Sequence, residues 1–245
     1  MTASVRYTPP AAAESDSRSL YTIGGVTALL QPLTIVAFTV VIATLGPQPD
    51  SAEEWFAIQQ SSRLEAMLRG DFLPLILIGL YLGTFPALAL ALRRVSPVYT
   101  ALAALFTFIG VTICFASEST FSLLRLGDQY AAAASDAQRA QLLAAAEAVI
   151  ASDMWNSSGA YMSGILLQGA GVMISVIMLR SSDFAAVTAY AGLIANAVDL
   201  IQHVVHPFAP TMSAALTTVM GPFYLVWFPM LGRDLLRLGR GALKG

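Results

Sequence analysis

Five residues of the stretch GLIANAVDLIQHVVH recur at helical spacing: Gly192, Asn196, Asp199, His203 and His206. The steps are four, three, four and three, so all five share one face of one helix. Asp199 and His203, at i and i+4, have the spacing at which two helical side chains can grip one ion. Glu118, from an earlier apolar stretch, is the best third ligand, and His206 is a fourth ligand or a support behind the first shell. Such a set suits a divalent zinc, iron or copper ion. Two other readings stand beside it. Asp199 could hydrogen-bond His203 or Tyr161 and serve as glue between helices. Glu118, Asp199 and His203 could instead relay protons or bind a polar small molecule without a metal.

A second polar stripe runs through Asp153, Ser157, Tyr161, Gly164, Gln168 and Gly171. Its steps are four, four, three, four and three, again one helical face. With Asn196, the residues Tyr161, Ser157 and Gln168 are the expected lining of a pocket around Asp199 and His203. Other chemistry finds no foothold. No G-x-S-x-G nucleophile elbow is present, and no Lys sits inside an apolar stretch. The single cysteine, Cys114, permits no disulfide within the chain.

The elements that carry these stripes are set by composition. The chain has 245 residues, 56% hydrophobic and 11% charged, too few charges to cover a water-soluble core of this size. The net charge of −2 and the lack of a basic patch exclude nucleic acid as a partner. Six stretches reach the ~20 apolar residues that a bilayer requires: 20–45, 72–92, 97–122, 158–179, 184–206 and 211–232. The expected fold is therefore all-α, a polytopic bundle of six transmembrane helices in the lipid bilayer. A polar tail, 1–19, precedes the six-helix domain, 20–232, and a basic tail, 233–245, follows it. The first tail lacks an apolar core with a cleavage site, so it reads as a flexible segment and not as a signal peptide.

Lys and Arg set the orientation. With the N-terminus inside, the inner segments hold Arg6, Arg18, Arg93, Arg94, Arg180, Arg233, Arg237, Arg240 and Lys244, and the outer ones Arg63, Arg69, Arg125 and Arg139. This excess predicts cytoplasmic termini. Glu118, Asp199, His203, Ser157 and Tyr161 then fall at similar depth, which predicts an outer-half pocket between the third, fourth and fifth spans. Two short amphipathic helices are expected on the outer side. One starts at the capping pair Ser51 and Glu54 and ends at Gly70, with Asp71 capping the second span. The other starts at Ser135 and Gln138.

Three stretches, YTIGGVTALLQPL, AYAGLIANAVDL and PFYLVWFPMLGRDLLRL, together resemble the bacterial membrane family called domain of unknown function 4386. The resemblance implies a six-helix protein of the bacterial cytoplasmic membrane and brings no activity with it. Three functions are expected from the residues: a metal-dependent enzyme acting on an apolar or lipid-like substrate, a proton-coupled transporter or binding protein, or an accessory subunit among other membrane subunits, with homo-oligomers as a further partner class.

Overall fold

The computed structural model describes residues 11–241, and every regular element among them is an α-helix. In chain order these are α1 (Ala11–Leu45), α2 (Ala52–Ser61), α3 (Arg63–Arg69), α4 (Phe72–Gly79), α5 (Tyr81–Leu92), α6 (Pro97–Ala116), α7 (Thr120–Ala131), α8 (Asp136–Ile150), α9 (Ser158–Met178), α10 (Ala186–Val205) and α11 (Pro210–Gly241). The first helix begins inside the expected N-terminal tail. Residues 1–10 and 242–245, which include Arg6 and Lys244, lie outside the described residues.

Five segments are long and apolar enough to cross a membrane: Ser15–Leu45, Phe72–Leu92, Pro97–Ala131, Ser158–Met178 and Pro210–Gly241. The expected fifth of six spans, α10, is not among them. It has 20 residues, about 30 Å of helix, but Asn196, Asp199, Gln202 and His203 lower its mean hydropathy. The long helices nevertheless close a ring that includes it. Each of α1, α11, α10, α9, α6 and α5 packs against the next, and α5 returns to α1. The ring interior is apolar and aromatic. Tyr81 of α5 meets both Phe85 of the same helix and Phe228 of α11, and Phe228 stacks on Tyr224 at 5.4 Å between ring centres.

The outward faces are apolar too. On α1, Ile23, Val26, Leu30, Leu33, Val36 and Val40 are exposed, and on α6 so are Val98, Leu105, Phe108, Ile109 and Phe115. On α10 the exposed large side chains are Val187, Tyr190, Ile194, Ile201 and Val204, opposite its polar stripe. Exposed apolar surface this continuous marks contact with lipid or another apolar partner and not with water.

Four short helices gather at the ring end away from the termini. Trp55 and Phe56 of α2, Ala66 of α3, Leu123 and Leu124 of α7 and Ala146 of α8 form a second, separate core. The local chemistry is as the sequence suggests in part. Ser51 accepts from Glu54 N–H, Ser135 from Gln138 N–H, and Glu65 pairs with Arg69 at 3.4 Å. The expected first amphipathic helix is broken at Ser62, whose hydroxyl caps α3 by accepting from Glu65 N–H. The third apolar stretch is also broken, between Ala116 and Thr120. Leu123 and Leu124, which extend that stretch in sequence, belong to the second core instead.

Candidate functional site

The polar face of α10 turns into the ring, against α9 and α11. Asn196 is fully buried and Asp199 is 4% exposed. The Tyr224 hydroxyl of α11 reaches Asp199 Oδ2 at 2.7 Å, Gln168 Oε1 of α9 at 2.9 Å and Asn196 Oδ1 at 3.4 Å. A phenol has one proton, and the shortest contact, to the carboxylate, takes it. The Gln168 amide can complete the set by turning its NH2 toward the phenol oxygen, since its two ends are interchangeable in shape. Asn196 uses its own amide to donate to Gly192 O at 2.7 Å.

His203 closes the other side of the carboxylate. Its Nδ1 lies 3.0 Å from the Asp199 carbonyl oxygen and 3.1 Å from Asp199 Oδ1. The His203 side chain is 27% exposed against 6% for Asp199, so the imidazole stands between a buried charge and the surroundings. Two glycines of α9 make room. A Cβ at Gly164 would overlap the His203 ring, and one at Gly171 would overlap the Asn196 amide. The α9 stripe is thus a track of notches that receives the α10 stripe, with Gln168 as the polar member between them. Tyr81 of α5 lies within electrostatic reach of Asp199 from across the ring.

This is a packed network and not an open pocket, and its walls differ from the expected ones. The third span, α6, packs on α9 and not on α10, so Glu118 is not carried to Asp199. It sits at the break after α6, close enough to Asp71 for their charges to interact. His206 forms a separate group at the end of α10. Its Nδ1 is 3.1 Å from Ser213 Oγ, which also accepts from Gln202 at 2.6 Å. Among the described residues, no group of three or more His, Cys, Asp or Glu side chains is placed to hold a metal ion. The expected set of Asp199, His203, Glu118 and His206 is therefore not brought together. Ser157 caps α9 by accepting from Ala160 N–H, and Tyr161 is half-buried on the first turn of that helix. Asn196 and Gln168 remain as the pocket residues that do meet Asp199 through Tyr224.

Tyr224 was not among the expected site residues. Its only sequence signal is a phenol deep in an apolar span, where the hydroxyl must find a partner.

A second polar junction lies where the ring meets the end helices. Asp71 is fully buried. Instead of capping α4, its Oδ2 accepts from the Ser119 amide at 3.1 Å and the Ser119 hydroxyl at 2.8 Å, and its Oδ1 from Trp155 Nε1 at 3.0 Å. Its own N–H donates to Thr120 Oγ1. Burial pushes Asp71 up to about 6, against the pull of the Ser119 donors, and the charges of Asp153 and Glu118 push the same way. Asp153, expected on the α9 stripe, instead shapes the loop before α9 by accepting from the Trp155 and Asn156 amides.

No protein-family model matches the chain, and no curated protein and no solved structure matches it either.

Proposed function

We propose that the chain is a six-span protein of a bacterial cytoplasmic membrane, both termini cytoplasmic, that binds or carries a polar small molecule in exchange with protons. Support for counting α10 as a span, beside the five others, comes from α10 itself. Its exposed face is as apolar as those of its neighbours, and its polar residues are turned inward. The excess of Lys and Arg near the termini supports the orientation, and the bacterial setting is an expectation carried by the three sequence stretches named above.

The observation that carries the functional reading is the Asp199 carboxylate. It is buried in an apolar bundle, held by one strong donor, Tyr224, and one titratable partner, His203, which alone of the three is partly exposed. Ionisable groups inside a membrane are expensive and mark proton or ligand pathways. The His203 ring and the Asp199 carboxylate stand 3.1 Å apart, close enough to pass a proton between them, with His203 as the entry point and Asp199 as the store. A metal enzyme has less support, because only two of its four expected ligands are neighbours.

Infrared difference spectra of purified protein in lipid, recorded across a pH titration, test this. A carboxylic-acid band should grow in wild type, and one component of it should be missing in Asp199→Asn and shifted in Tyr224→Phe. A titration identical in wild type and Asp199→Asn would sink the proposal.

A further inference from the structure

The described end of α11 carries Arg233, Arg237 and Arg240, at steps of four and three and so on one face. All three are exposed. They line a cleft of about 390 Å³ whose remaining walls are Leu236 and, from α1, Leu29. The register of the two helices gives the cleft a depth. Gly239 lies against Tyr21 and Thr22, about three turns into α1, whereas Gly232 lies against Gly25 and Leu29, further along it. Arg240 therefore stands near the end of α11, and Arg233 lies about 10 Å deeper at 1.5 Å per residue, beside apolar side chains that face outward.

Exposed guanidinium groups on an apolar flank need an anion. Among the described residues, Arg237 donates to the Asp183 carbonyl and lies 3.9 Å from Asp234 Oδ1. The other oxygen of that carboxylate, Oδ2, accepts from Thr188 Oγ1 and Ala185 N–H, so Asp234 is shared between Arg237 and the start of α10. Arg233 and Arg240 have no ionic partner among the described residues. The cleft thus joins a cationic ladder to an apolar floor, which is the chemistry of a phosphate with a hydrocarbon chain attached.

We propose that this cleft between α1 and α11 holds one anionic phospholipid. The ladder of Arg233, Arg237 and Arg240 receives its phosphate, and Leu29 and Leu236 receive the start of an acyl chain. A basic residue near an anionic headgroup is worth about fivefold in binding. The site is independent of the Asp199 network, which lies on the other faces of α10 and α11.

Native mass spectrometry of the full chain, released from detergent with phosphatidylglycerol or phosphatidylcholine added, provides the test. One phosphatidylglycerol should be retained in preference to phosphatidylcholine. The variant Arg233→Gln with Arg240→Gln should lose that preference by roughly tenfold or more, while Arg63→Gln at the opposite end keeps it. Equal retention of the two lipids, or full retention by the double variant, would overturn the assignment. So would displacement of the lipid by inorganic phosphate alone, which would mark a site for a free anion. All three arginines are exposed, so their loss leaves the fold intact, and an unchanged melting temperature checks this.

Discussion

At the scale of single residues, the network rests on one phenol. Tyr224→Phe removes the proton donor that reaches Asp199 Oδ2 and leaves a buried carboxylate oxygen without it. The expected cost is about 2 kcal/mol, the penalty for stranding a buried charged acceptor. Thermal melts in detergent should show this loss. Combining Tyr224→Phe with Asp199→Asn should cost less than the two losses added, and strict additivity would mean that the contact carries no energy. Spacing alone made one side of this network legible. Asn196, Asp199 and His203 announce a shared face, and so do Gly164, Gln168 and Gly171. Tyr224 was illegible because a lone phenol among Phe, Leu, Val and Trp sets up no period. Glu118 was misread for a related reason. The apolar run through Phe121, Leu123 and Leu124 hides a helix break between Ala116 and Thr120, where Asp71 accepts from Ser119.

At the scale of elements, Asp71 fastens three segments: the start of α4, the start of α7 and the loop before α9. Its raised proton affinity gives a pH dependence with a definite sign. The folded chain holds this proton up to about pH 6, and the unfolded chain releases it near the ordinary 3.8. Protons bind more tightly to the folded state between those values, so the Asp71 contribution is full below the lower one and fades as pH rises through the upper one. Asp71→Asn should therefore flatten the fall in melting temperature between about pH 4 and pH 6. A variant with the same slope as wild type would count against this role. The α2 and α8 starts were readable from Ser51 and Ser135, whose hydroxyls cap as expected. Asp71 has the same cap signature in sequence and behaves differently, because a Trp155 ring from 84 positions away competes for its carboxylate.

At the scale of the whole molecule, the membrane class follows from composition, and the ring of six long helices does not. Nothing in the apolar stretches says that α9 separates α6 from α10, since side-chain period fixes faces and not neighbours. Orientation is open to direct measurement. Cys114 is buried against Ser163, so Cys114→Ser gives a thiol-free background at little cost. In it, Ser135→Cys should react with a membrane-impermeant maleimide on intact cells, and Arg240→Cys should react only after lysis. The reverse pattern would invert the proposed topology. The second core has a consequence for biogenesis. Trp55 and Phe56 leave the ribosome well before Leu123, Leu124 and Ala146, the residues that cover them. Until the chain beyond α6 has joined it, the segment 52–69 has an uncovered apolar side. A nascent chain halted after α5 is then expected to keep that segment adsorbed to the nearer leaflet, the outer one in the proposed topology, and completion of α8 is the step that lifts it off.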